Sequence, residues 1–201
     1  MPEPFSWLLG ILKFLAKPVF DFFAARRKTA RDRKVTLDRF YVELEDAKNH
    51  ALESMKLLAN EHNRRNDPAE RAGRRWDRYG PISSASRLEF FAIKGIYERH
   101  YEDFSLDQRR AIPKVFLFAD RYNSLLADLD ALHGEMFSKY EWDFAAKPVV
   151  TLATFVFLTA MLVEQKERFK VAETETSTSI VQKVLDGWNI RMYGIELEDA
   201  E

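Results

Sequence analysis

From Phe5 to Phe23 almost every position is apolar, and the polar residues Ser6, Gly10, Lys13, Lys17 and Asp21 fall within about 80° of arc on a helix. Lys28 and Arg31 continue the same stripe into a basic block of Arg26, Arg27, Lys28, Arg31, Arg33 and Lys34. The pattern predicts an amphipathic helix with a polybasic collar over residues 1–34. A second periodic segment follows Thr36, which has the chemistry of an N-cap. Phe40, Leu44, Ala47, Ala51, Met55 and Leu58 recur there at spacings of three and four, marking one apolar face through about Asn63.

Residues 64–86 are rich in Arg, Asp, Gly, Pro and Ser and read as a connector, with a short helix expected over 68–79. Ser86 with Glu89 has the form of a capping box and predicts a helix carrying Leu88, Phe90, Phe91, Ile93, Ile96 and Tyr97. Ser105 with Gln108 repeats the signature, with Pro113 expected to restart or kink the helix. From Val115 the positions Phe118, Tyr122, Leu125, Leu129, Leu132, Met136 and Tyr140 approach a heptad seam, which wants an antiparallel neighbour.

Pro148 suits the first turn of another helix, expected to run to about Val171, and the sixteen residues from Pro148 to Val163 carry no charge. The run from Thr174 to Ser179 reads as a linker with a possible N-cap. Ile180, Val181, Val184, Leu185 and Trp188 then predict a last amphipathic helix. The expected fold is all-α: an antiparallel bundle of four to five long helices over residues 35–195, preceded by the N-terminal amphipathic helix and followed by an acidic tail at 196–201.

Composition supports this picture. Seven glycines and seven prolines in 201 residues argue for long uninterrupted elements, and the absence of cysteine removes disulfides, thiolate nucleophiles and sulfur-ligated metals. The net charge of −1 conceals an asymmetry, since residues 1–100 hold 20 Lys and Arg against 14 Asp and Glu, and the remainder 11 against 18. The basic half suits an anionic partner that the other half repels. Packing of the two halves on each other explains the asymmetry equally well.

The N-terminal stretch admits several readings. A secretory signal is disfavoured by Glu3 ahead of the apolar run and by Lys13 and Lys17 within it. For a spanning helix, eleven Leu, Ile, Phe and Val contribute about −3 to −7 kcal/mol, offset by three charges at about +2.5 to +3.5 kcal/mol each when central. An interfacial helix fits better: Phe5, Trp7, Leu8 and Leu12 would enter the bilayer boundary, while Lys13, Lys17, Arg26, Arg27, Lys28 and Arg31 meet anionic headgroups. The alternative is a soluble bundle in which residues 5–23 are core. The uncharged segment from Pro148 rises about 24 Å against a hydrocarbon core of about 30 Å, and reads as the central helix of a bundle.

Candidate chemistry is sparse. Of the four histidines, only His133 has a carboxylate three residues upstream, Asp130, and the paired Glu-x-x-His motif of helical metal sites is missing. Asp46 and His50 share a helix face. No nucleophile elbow, phosphate loop or dinucleotide fingerprint occurs, so no catalytic residue, metal or cofactor is assigned. Arg64, Arg65, Arg71, Arg74, Arg75 and Arg78, with Trp76 and Tyr79 among them, form a possible anion-binding cluster, diluted by Asp67, Glu70 and Asp77. Nucleic acid ranks as the third expectation, because a pI near 6.5 is low for a nucleic-acid binder. The leading expectation is a membrane-associated interaction or regulatory protein on the cytoplasmic face of an anionic membrane, with a protein partner or self-association.

Overall fold

A computed structural model describes residues 5–66, 85–131, 145–170 and 176–192, with side chains on the first helix described from Ala25 to Arg64. The chain is an all-α bundle, and among the described residues there are no strands. Its helices are α1 (Phe5–Asn66), α2 (Ile93–Arg99), α3 (Leu106–Ala131), α4 (Ala146–Gln165) and α5 (Ser177–Gly187). Single 3₁₀ turns follow α2 at Tyr101–Asp103 and α4 at Lys166–Arg168. The chain falls into two compact units, Met1–Phe40 and Tyr41–Glu201, with the boundary inside α1.

Thr36 is not an N-cap. It lies inside α1, where its hydroxyl donates to the Asp32 carbonyl at 2.9 Å, the back-bonding available to a helical threonine. Downstream, the expected apolar face is buried: Leu44, Ala47, Ala51, Met55 and Leu58 are each under a tenth exposed, together with Tyr41, Leu52 and Ala59.

α4 is the centre of the second unit. It packs against α3 on one side and α5 on the other, and Val149, Leu152, Ala153, Phe155, Thr159 and Leu162 are fully buried. Its two buried threonines bond back to their own helix, with Thr159 Oγ1 donating to the Phe155 carbonyl at 2.7 Å and Thr151 Oγ1 to the Lys147 carbonyl at 2.8 Å. Their hydroxyls therefore add no unsatisfied donor to an apolar interior. Among the described residues this is the one segment long and apolar enough to cross a membrane, and more than half of it is buried inside the bundle. The helix starts two residues before Pro148 and ends at Gln165, short of the expected Val171, because Lys166 turns the backbone left-handed at φ 45°.

α3 begins at the capping box read from sequence. The Ser105 N–H donates to Gln108 Oε1 at 2.8 Å and the Gln108 N–H to Ser105 Oγ at 3.3 Å. Pro113 neither restarts nor ends it; the helix continues to Ala131. A proline at 113 removes the N–H that would bond the Arg109 carbonyl. That carbonyl instead accepts the Tyr97 hydroxyl at 3.0 Å. The buried stripe is Ala111, Ile112, Val115, Ala119, Tyr122, Leu126 and Leu129, so the seam runs through Ala119 and Leu126 where Phe118 and Leu125 were expected.

The Ser86–Glu89 capping box does not form. Residues 85–90 are irregular, and α2 begins only at Ile93. This strand-like approach is held by side chains of other helices. Asn123 on α3 accepts from the Leu88 N–H at 2.9 Å and donates to its carbonyl at 2.8 Å, while Tyr122 donates to the Ser86 carbonyl. Glu43 on α1 accepts from the Phe91 N–H at 2.6 Å and the Ala92 N–H at 2.8 Å. Those are orphan donors at the entrance of a helix, and a carboxylate is the favoured acceptor there.

α5 is capped as its sequence suggested, with the Ser179 N–H donating to Thr176 Oγ1 at 3.2 Å. It ends in a Schellman motif: the Ile190 N–H reaches the Leu185 carbonyl, the Asn189 N–H reaches the Asp186 carbonyl, and Asn189 adopts φ 52°. Ile190 and Leu185, both buried, make the accompanying apolar pair. The short helix expected over 68–79, the seam positions Leu132, Met136 and Tyr140, and the tail 196–201 lie outside the described residues.

Candidate functional site

The basic collar occupies three turns of α1. Every residue from Ala25 to Val35 is exposed, and these eleven residues carry six cations against the single anion Asp32. A helix polar on all sides keeps its shape through its own backbone ladder, without a buried face. Thr29 reinforces it locally, donating to the Ala25 carbonyl at 3.0 Å. Of the predicted membrane-contact residues, Arg26, Arg27, Lys28 and Arg31 lie on this exposed stretch, over less than two turns. The side chains of Phe5, Trp7, Leu8, Leu12, Lys13 and Lys17 lie outside the described residues, although their backbone belongs to α1.

Little of the predicted arginine cluster is on view. Arg64 pairs with Glu61 through both Nε and Nη2, at 3.0 and 2.9 Å, so part of its guanidinium is already spent within one helix turn. The side chain of Arg65, and Arg71, Arg74, Arg75 and Arg78 entirely, lie outside the described residues.

The histidines are dispersed. His62 is buried on α1, His50 is exposed, and His100 Nδ1 lies 3.0 Å from Asp103 Oδ2 beside the turn after α2. Among the described residues no group of three His, Cys, Asp or Glu side chains converges on a point where a metal ion would sit.

A surface groove joins α1 to the end of α5. Asp46, Asn49, His50, Glu53 and Lys56 line one depression of about 460 Å³, and Lys56, Asn60, Asn63, Asn189 and Arg191 line a second of about 390 Å³; Trp188 borders both. The Schellman motif fixes Trp188 in place, and Asn63 Nδ2 anchors the irregular segment that follows by donating to the Arg191 carbonyl. The charges balance, with Asp46 and Glu53 against Lys56 and Arg191, so the groove favours no strongly charged ligand. The sequence placed Asp46 and His50 on one face, but it put Trp188 on the apolar face of the last helix; that helix ends at Gly187, and Trp188, at its C-cap, is 46% exposed and borders the groove.

One buried polar group ties three elements together. Gln108 is 2% exposed and its Nε2 donates to Tyr41 Oη at 2.7 Å and to the Lys166 carbonyl at 2.8 Å. Burial raises the Tyr41 phenol above its ordinary value of 10.0, against the Gln108 hydrogen bond, which lowers it, and with Glu167 adding a smaller upward push. Burial likewise raises Tyr97, helped by Tyr101 and opposed by Arg109.

Comparison with models of known protein families, with curated proteins and with solved structures gives no match to this chain.

Proposed function

We propose that this chain is a membrane-associated interaction module without catalytic activity of its own, seated on the cytoplasmic face of an anionic membrane by its N-terminal helix and basic collar. The observation that carries this reading is the exposure of Ala25–Val35 on all sides with six cations among eleven residues. Cations of that kind contribute about 1 kcal/mol each near an anionic leaflet. The apolar composition of residues 5–23 suits the second attraction that stable attachment requires. The remaining helices form a scaffold whose exposed faces are available to a protein partner.

The test uses the full chain and vesicles of phosphatidylcholine alone or mixed with phosphatidylserine. Co-sedimentation is expected with the mixed vesicles, falling as salt is raised. Replacing Arg26, Arg27, Lys28 and Arg31 together by glutamine is expected to weaken it by on the order of a thousandfold, at about 1 kcal/mol per charge. Binding that ignores phosphatidylserine, or survives the four substitutions unchanged, overturns the reading.

A further inference from the structure

The outward face of α3 carries cations and projecting leucines together. At 100° per residue, Leu106, Arg110, Pro113, Lys114, Leu117 and Arg121 fall within about 100° of arc. All six are exposed, Leu106 at 62% and Leu117 at 63%. Large apolar side chains that stand so far out gain nothing from the protein's own interior. The charge on the face is mostly positive: from Gln108 to Ala119 the chain contains no Asp or Glu, and Asp107 borders the face at the first turn of the helix. Asp120, at the edge of the face, is matched by Lys94 of α2 at 3.8 Å, and the next acid outward is Asp128, two turns beyond Arg121.

The partners of these cations are as informative. Arg109, one residue away, is fully engaged: its guanidinium donates to the carbonyls of Phe104 and Glu102 and lies 4.6 Å from the Tyr101 ring. Arg110, Lys114 and Arg121 have no ion pair, hydrogen bond or aromatic contact among the described residues. From Arg110 to Arg121 the helix rises about 17 Å, enough for several phospholipid headgroups.

We infer that this α3 face is a second membrane-contact surface, with Leu106 and Leu117 entering the headgroup boundary and Arg110, Lys114 and Arg121 meeting lipid phosphates. It rests on the membrane reading above and adds which side of the bundle faces the lipid. An ordinary amphipathic helix separates its apolar and charged faces. Here they coincide, which suits an interface where long basic side chains reach phosphates while leucines beside them enter the acyl boundary.

The chain has no cysteine, so a single Leu117→Cys substitution in the full chain takes an environment-sensitive fluorophore at one place only. With mixed phosphatidylcholine and phosphatidylserine vesicles the label is expected to shift to the blue and brighten, while the same label at Gln182→Cys, on the exposed side of α5, stays as in water. Replacing Arg110, Lys114 and Arg121 by glutamine, with helicity checked by circular dichroism, is expected to weaken vesicle binding by on the order of tenfold or more while the collar is intact. A label at 117 that remains in water on vesicles the protein demonstrably binds overturns this inference alone. A protein that does not bind the vesicles at all overturns both readings. A label that responds to soluble polyglutamate and not to vesicles assigns the face to an acidic protein and also overturns it.

Discussion

Gln108 shows what a single buried amide does in this molecule. Its side chain caps its own helix through Ser105, holds the Tyr41 hydroxyl, and satisfies the carbonyl of Lys166, the residue whose left-handed backbone ends the 20-residue helix α4. The capping half of that role was legible, because Ser105 and Gln108 stand three apart. The rest was not, since Tyr41 and Lys166 lie 67 and 58 residues away. The same site sets a pH dependence. The unfolded chain releases the Tyr41 proton at its ordinary value near 10.0, whereas the folded chain holds it to higher pH. Stability from this group is therefore fully present below about pH 10 and is lost as pH rises through the raised folded value. Thermal unfolding followed by circular dichroism should show a transition that falls above about pH 10, and Tyr41→Phe should flatten that fall while lowering stability at neutral pH by about 1 kcal/mol for the lost hydrogen bond.

Among the elements, α2 is the one that sequence misplaced. Ser86 and Glu89 have the right residue types, but Ser86 gives its carbonyl to Tyr122 and the segment onward stays irregular until Ile93. The acceptor that starts α2 comes from Glu43, a surface position on another helix that local periodicity presents as ordinary solvent-facing charge. Glu43→Ala should therefore cost about 1–2 kcal/mol in denaturant unfolding, and Glu43→Gln less, since it keeps one acceptor. Equal costs for the two would show that the negative charge of the carboxylate matters and that a neutral acceptor of the same size does not replace it. α3 and α5 were legible because their caps are local: Ser105 caps as read, and the cap of α5, Thr176, lies within the run read as a linker with a possible N-cap. α4 and the part of α1 after Thr36 were legible from their apolar patterns. The misreading at Thr36 has a simple cause, as a threonine that back-bonds inside a helix has the same sequence signature as one that begins it.

At the scale of the whole chain, the two units differ in how they are held. Tyr41–Glu201 has a continuous core in which α4 is enclosed by α3 and α5. The collar in Met1–Phe40 is bare helix. This separation makes deletion of residues 1–34 decisive between the two sequence readings of the N-terminus. If the apolar stretch is a membrane element, the truncated chain should keep its unfolding midpoint to within about 0.5 kcal/mol and lose vesicle binding. If residues 5–23 are core, the midpoint should collapse or the oligomeric state change in sedimentation. The candidate surfaces were only partly legible. The collar was visible as a run of charge, but Leu106 and Leu117 of α3 belonged to no pattern read from the sequence, and their exposure emerges only from the structure.

The hydroxyl of Tyr97 on the carbonyl of Arg109 bears on how the molecule is made. A helix ordinarily completes its own ladder, so it can form before it meets its neighbours. At Pro113 the ladder of α3 has a gap that only a side chain from α2 fills. Until α2 docks, only water can satisfy the Arg109 carbonyl, so it is the packing of α2 that completes the hydrogen bonding of the first turns of α3.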